Sequence, residues 1–241
     1  MHFEVLMTPI ASPEKNMEMD VKLLESLAKE ERSILHFYAW EGRCATYGHF
    51  IDPYKFLNEE KVRHHKLHLA RRPTGGGLIF HHCDLAFSVL IPAKHPVYSL
   101  NTLSNYAFVN GAVIEAIKNL RGNSTDLALL ENEKEPLDEY SRYFCMAKPT
   151  IYDVMVQDRK VGGGAQRRTK YGLLHQGTIA LSLPSDLFLK DILMEEHRII
   201  QDMHRNGYVL LGENITPELL EEGRREMQFL LLKAMQKRLC I

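Results

Sequence analysis

Cysteine is scarce in this chain. Four occur in 241 residues, Cys44, Cys83, Cys145 and Cys240, and no two form a Cys-x-x-Cys pair. That excludes a dense disulfide scaffold and a cysteine-based zinc finger, and it fits the reducing cytoplasm. A surplus of charge is also missing. Thirty basic residues balance thirty-one acidic ones, for a net charge of -1. Composition therefore points neither to nucleic acid nor to an anionic membrane as partner. No apolar run reaches the roughly 20 residues that a membrane-spanning helix needs. The opening Met1-His2-Phe3-Glu4 has no basic stretch leading into an apolar core, so no secretory signal is expected. Internal repeats and low-complexity tracts are absent too. Histidine is plentiful, at twelve, but no H-E-x-x-H spacing places two of them as metal ligands. What remains is 45% hydrophobic and 25% charged, an ordinary globular balance.

Local patterns are mixed. Ser12-Pro13-Glu14 reads as a helix start, with a capping hydroxyl, proline in the first turn and an acid beside it; Met17, Val21, Leu24 and Ala28 follow at helical spacing. Ile34 to Trp40 reads as a strand, and Cys44 to Gly48 as its continuation in the same sheet after a turn. Leu69 to Leu90 reads as two extended segments joined through Gly75-Gly76-Gly77. Leu103 to Leu120 reads as a helix with Tyr106, Val109, Val113 and Ile117 on one face. Residues 131–150 form the longest expected loop, and strands follow around Tyr152–Val156, Lys160 onward and Leu173–Leu181. Thr216-Pro217-Glu218 starts a last helix with Leu220, Met227, Leu231, Met235 and Leu239 inward. Strands and helices without regular alternation predict an α+β fold, a mixed β-sheet with flanking helices. Nothing in the composition demands a second domain. Residues 1–241 are expected to form one catalytic domain, with 190–241 as a small C-terminal helical extension.

Two glycine triplets carry the chemistry. Arg71-Arg72-Pro73-Thr74 precedes Gly75-Gly76-Gly77, and Leu78-Ile79-Phe80-His81-His82 follows. Three glycines remove side chains where backbone must approach something closely, and the arginines add planar donor forks suited to carboxylate or phosphate. The spacing matches neither a Walker A loop nor G-x-G-x-x-G. The second segment is Lys160-Val161-Gly162-Gly163-Gly164-Ala165-Gln166-Arg167-Arg168. A lysine held there could offset charge developing on a carbonyl oxygen. Read singly, each triplet is a flexible turn with solvated cations; two such segments in one chain point to a site. Cys145 is a candidate nucleophile if Lys148 or Lys160 stands close, and otherwise a small apolar side chain.

These residues carry a resemblance. Arg71 to His81 resembles the RRxxGGGxVFH motif of the lipoate–protein ligase and octanoyltransferase family, which is related to the biotin–protein ligases. Lys160 to Arg168 is similar to its K-[VIL]-x-G-x-A-Q-x-R segment, and His175-Gln176-Gly177-Thr178 to its HHGT. Asn16-Met17 with Asp20, and Trp40 with Tyr47-Gly48, match weaker N-terminal signatures. Departures are His82 where relatives often carry an acid, Gln176 for the second histidine, and Gly163-Gly164 after the lysine. The chain is also shorter than long ligases with an accessory domain.

The resemblance implies that family's fold and a lipoate or octanoate substrate. It implies acyl and adenylate binding by Arg71, Arg72, Gly75, Gly76, Gly77, His81, Asp153, Gly163, Ala165, His175, Gly177 and Thr178. Lys160 would touch the donor carbonyl oxygen, and Asp153 would hold Mg²⁺. The family-wide activity implies ATP, an acyl-adenylate and transfer to a lysine of a lipoyl domain, from 2-oxoacid dehydrogenase complexes or the glycine cleavage H protein. A second route follows from a narrower match. Cys145 stands fifteen positions ahead of Lys160, as the catalytic cysteine does in one octanoyltransferase subgroup, and Asp84-Leu85-Ala86-Phe87-Ser88 is similar to that subgroup's [ED]-L-T-Y-S. On that route a Cys145 thioester takes the acyl group from an acyl carrier protein or lipoyl-protein without ATP. A non-catalytic binder of lipoate or of lipoyl domains is the third reading. The ligase route leads, and the retained Lys160 argues against the binder.

Overall fold

The computed structural model describes residues 2–122, 125–133, 135–136, 138–194, 198–212 and 215–240. The expected loop 131–150 and extension 190–241 each include residues outside those described. Seven strands make the main sheet. In spatial order they are β1 (His2–Met7), β2 (Arg32–Phe37), β6 (Asp84–Pro92), β10 (Gly172–Ala180), β9 (Arg159–Thr169), β8 (Val154–Val156) and β7 (Leu127–Leu129). Only β1 and β2 run parallel; the other neighbours are antiparallel. A parallel pair needs a crossover, and α1 (Pro13–Ser26) supplies it. Ser12 caps α1 by accepting from the Lys15 backbone N–H at 3.4 Å. The inward face of α1 carries Met17 and Leu24 as the spacing predicts, together with buried Asn16 and Asp20. Ala28 lies beyond the helix and is exposed, and Leu27 takes its place against the sheet.

A second, three-stranded sheet runs β4 (Leu67–Arg71), β3 (Arg43–Tyr47), β5 (Ile79–Phe80). Two expectations are corrected here. The segment Cys44–Gly48 does not continue the main sheet; its β3 pairs with β4 and β5 instead. Leu69–Leu90 holds three strands rather than two, because the chain turns again at His81–Cys83 before β6. Local pattern gives strand character but not the partner, which a short strand takes from tertiary packing.

Side chains alternate across the main sheet. One face presents Phe37, Phe87, Val89, Leu173 and Ile179 to α3 (Thr102–Arg121) and α6 (Pro217–Leu239). Thr216 caps α6, and its Met227, Leu231, Met235 and Leu239 complete this core. The other face carries Ile34, Leu90 and Leu174 against α1 at one end. Further along, Tyr38, Ala86, Gln176 and Thr178 leave a cavity under the small sheet. All nine residues of β6 are buried, as expected of a strand covered on both faces. Short helices α2 (Glu59–His64), α4 (Asp186–Ile192) and α5 (Ile199–Asn206) pack a smaller apolar cluster with Phe80, Phe144 and Met146 behind the small sheet. Among the described residues no helix is long and apolar enough to cross a membrane.

Candidate active site

The cavity between the two sheets has a volume of about 50 Å³ and is lined by residues of both. Its first wall is the loop after β4. Gly76 has φ +87°, a conformation that glycine adopts freely. Gly77 has no room for a side chain, since a Cβ there would stand 2.5 Å from the Tyr143 carbonyl oxygen. That closeness lets the 145 segment dock. Leu78 N–H donates to Tyr143 O at 2.6 Å, and Cys145 N–H donates to Leu78 O at 3.0 Å. Cys145 is a free, half-buried thiol lining the cavity.

Arg72 reaches in from the same loop. Its guanidinium donates to the carbonyls of Gly75 and Gly77 and, through Nη1, to Thr46 Oγ1 at 2.9 Å. The Cys145 thiol lines the same cavity, close enough to interact electrostatically with the guanidinium. Burial lowers the arginine's affinity for its proton, and the Cys145 contact works in the opposite direction.

The opposite wall is β9. Lys160 Nζ lies 2.8 Å from Asp153 Oδ2, and both side chains are almost wholly buried. The same carboxylate oxygen accepts from Thr150 N–H at 2.7 Å and from Thr150 Oγ1 at 3.1 Å. Burial raises the Asp153 carboxyl above the usual carboxylate range, against the opposing pull of Lys160 and then Thr150. Asp153 thus serves as the anchor of Lys160. Among the described residues, no group of three or more His, Cys, Asp or Glu side chains is arranged to hold a metal ion. The Asp153 carboxylate turns Oδ2 to Lys160 and Thr150.

The floor is apolar over a polar network. Met17, Tyr38, Trp40 and Ala86 line it. Beneath them the fully buried Asp20 accepts from Ser88 Oγ at 2.8 Å, from Tyr38 OH and from Gln176 Nε2 at 2.7 Å, with His36 Nδ1 at 2.9 Å. Gln176 Oε1 accepts from Thr74 Oγ1 at 2.7 Å. Its amide is therefore hydrogen-bonded at both ends within the fold while lining the cavity. Burial, then the Asp20 charge, pushes the Tyr38 phenol well up, so it remains a neutral donor.

The sequence-selected residues separate into two groups. Arg72, Gly76, His81, Cys145, Lys160, Gly163, Ala165, Gly177 and Thr178 line the cavity together. Arg71 is exposed, with its guanidinium 5.9 Å from the Tyr47 ring centroid. Gly75 and Gly77 support the loop and do not line the cavity. His175 faces the other side of β10, between Phe87 and Tyr106, fully buried, and burial pushes its pKa down to about 3. Sequence reasoning missed Tyr38, Thr46 and Ile79 as lining residues. Strand alternation from Gln176 on the neighbouring strands would have found Tyr38; nothing local marks Thr46, which arrives from the other sheet.

Comparison with known proteins decides the family. Residues 12–209 match the lipoyl protein ligase A/B catalytic domain. The chain belongs to that family. Among its relatives, the octanoyltransferase LipM of Bacillus subtilis is 32% identical over 199 residues, covering 81% of this chain and 71% of that protein. The LipM of Staphylococcus aureus is 29% identical over 222 residues, covering 88% and 80%. A solved lipoate-protein ligase A bound with ATP superposes with a TM-score of 0.69 at 19% identity, covering all of this chain and 87% of that one. A bipartite lipoate protein ligase from Thermoplasma acidophilum gives 0.68 at 19% identity, covering all of this chain and 84% of that one. The lipoyl protein ligase A/B fold thus accounts for the mixed sheet and the cavity beneath β3–β5.

Proposed function

We propose that this chain is an octanoyltransferase that works through a thioester on Cys145. The carrying observation is that Cys145 sits in the same cavity as Lys160 and the Arg72 guanidinium. A ligase that activates its acyl group as an adenylate has no need of a thiol there. The names of the similar octanoyltransferases favour the same reading. The adenylate route, preferred on the family-wide resemblance, therefore gives way to the cysteine route.

The donor is an octanoyl thioester on an acyl carrier. The Cys145 thiolate attacks the carbonyl carbon, and the Lys160 ammonium, aimed by Asp153, offsets charge on the carbonyl oxygen. The carbon–sulfur bond to the carrier breaks and its thiol leaves with a proton. The octanoyl chain lies along Met17, Tyr38, Trp40 and Ala86. The uncharged lysine amine of an acceptor lipoyl domain, from a 2-oxoacid dehydrogenase complex or the glycine cleavage H protein, then attacks the Cys145 thioester. An amide forms, the amine proton departs and the thiolate is regenerated. A thioester is already activated, so ATP has no role in this sequence.

Cys145→Ser decides the matter. Intact mass of an acceptor domain should show no added octanoyl group with the variant, and wild type given octanoyl-carrier alone should carry an octanoyl mass that hydroxylamine removes. ATP-dependent transfer by the serine variant would restore the ligase reading.

A further inference from the structure

We propose that Thr46, His81 and Asp84 form a positioning relay that holds the Arg72 guanidinium against Cys145. The proposal rests on the cysteine-dependent reading of the site and extends it to residues that do not touch the reacting atoms.

The relay is continuous and buried. Asp84 Oδ2 lies 2.8 Å from His81 Nδ1, His81 Nε2 lies 2.7 Å from Thr46 Oγ1, and Arg72 Nη1 lies 2.9 Å from that same hydroxyl. Relative exposure is 5% for Asp84, 4% for His81, 0% for Thr46 and 6% for Arg72. A guanidinium can only donate, so Thr46 Oγ1 accepts from it and turns its single hydrogen to His81 Nε2. The histidine then carries its proton on Nδ1 and donates it to Asp84. In this tautomer each donor along the chain meets an acceptor. Trp40 stacks on the His81 ring, 4.4 Å between centroids and 16° between planes, and sets the ring's tilt.

The relay also answers a charge problem. Arg72 is a buried cation, and such a group is costly to bury unless paired. Its carbonyl partners at Gly75 and Gly77 satisfy hydrogen bonds and bring no counter-charge. Asp84 sits two bridging groups away and acts on the guanidinium through His81 and Thr46, by orienting the hydroxyl that receives it. The remaining face of the guanidinium is left for sulfur. Both ends are pinned to one stretch of backbone, Arg72 to Gly77 O and Cys145 N–H to Leu78 O. Other ionisable groups around this end of the cavity are His81 and Tyr38, with Lys160 across it on β9. Lys160 is engaged by Asp153, and Lys148, on the segment that carries Cys145, by Glu133 at 3.0 Å. Arg72 is thus the cation placed to act on the thiol.

Alkylation of Cys145 tests the relay without any acyl substrate. The chain is treated with iodoacetamide at pH 7 and pH 10 and the Cys145 peptide is followed by mass, in a Cys240→Ser background because Cys240 is exposed. Thr46→Val keeps the shape of the side chain and removes both hydrogen bonds. It should slow alkylation about tenfold at pH 7 and leave the rate at pH 10, above the ordinary thiol range, unchanged. Thr46→Ser should restore the neutral rate. A wild-type rate at pH 7 in Thr46→Val overturns the relay. So does equal slowing at both pH values, or failure of serine to rescue, since either marks a packing role alone. If thermal unfolding shows that Thr46→Val does not fold, Asp84→Asn carries the same pattern of expected rates. ATP-dependent transfer by Cys145→Ser would sink the transferase reading and leave the alkylation result standing.

Discussion

The two glycine triplets look alike as sequence and differ as physics. Gly75–Gly77 is a loop in which one glycine bends backbone and another makes room: Gly76 has φ +87°, a Cβ on Gly75 would meet nothing within 4 Å, and one on Gly77 would stand 2.5 Å from the Tyr143 carbonyl oxygen. Gly162–Gly164 lies inside β9 with regular strand geometry, and its glycines make room: a Cβ on Gly163 would stand 2.0 Å from Asp153 Oδ1, and one on Gly164 2.3 Å from His175 Nε2. One triplet shapes the wall that carries Arg72 and receives Cys145. The other lets a buried ion pair press against a strand. A glycine in a motif therefore says that a side chain is excluded, and only its surroundings say whether torsion or space excludes it.

The sharpest way to test that contrast is on the strand side. Lys160→Ala should lower acyl transfer about 10²–10³-fold, the usual loss for one preorganised donor to a developing oxyanion. Steady-state transfer with a folded variant checks it, and near wild-type turnover would remove Lys160 from the chemistry. Gly163→Ala adds one methyl where Asp153 now sits, so the Asp153–Lys160 pair must shift. A stability loss of about 1–3 kcal/mol is expected from overpacking, with a fall in transfer larger than an Ala substitution at Gly75 produces. Urea unfolding and turnover on the same two variants give the answer, and equal effects would erase the distinction between the triplets.

Acidification probes the helix-covered face of β10, where His175 is buried. The His175 pKa, pushed down to about 3 in the fold, is near 6.5 when unfolded. Between those values the unfolded chain holds more protons, so stability falls as pH drops. This residue alone should cost about 2 kcal/mol at pH 5. His82, pushed down to about 4 by burial, adds a loss of the same sign. Urea unfolding at pH 7.5 and pH 5 should show a shallower loss in His175→Gln; an identical slope would mean that His175 protonates in place. The smallest effects belong to the loop. Gly76→Ala should cost about 1–2 kcal/mol for its left-handed torsion, and Gly75→Ala less than about 0.5 kcal/mol. Reversal of that order would show that space rather than torsion governs this loop too.

Much of the fold was legible. Helix starts at Ser12 and Thr216 announced themselves through capping chemistry, and β10 through its apolar run. Strand partnership was not legible. The assignment of β3 to a second sheet depends on β4 and β5 meeting it from either side, a non-local event that no window of residues contains. The site divides in the same way. Arg72 and Lys160 could be chosen because cations beside glycine triplets are unusual, and Cys145 because it stands fifteen positions ahead of Lys160. His175 shared a motif with Gln176, yet strand alternation turns the two to opposite faces, and only the sheet's covering reveals which face is the cavity. Thr46 and Asp84 gain their meaning from contacts across the small sheet and the turn before β6.

The position of α6 has a consequence for how the molecule comes into being. Its Met227, Leu231, Met235 and Leu239 close the same core to which Leu35 and Phe37 of β2 contribute. Contacts of such long sequence separation form slowly. During synthesis the early strands leave the ribosome with one face still uncovered, and they stay so until a helix nearly two hundred residues downstream arrives. Domains with exposed strand faces in this interval are prone to aggregate. The nascent chain should therefore be a strong client of chaperones until α6 docks, whereas the cavity lies on the opposite face of the sheet, away from that last step.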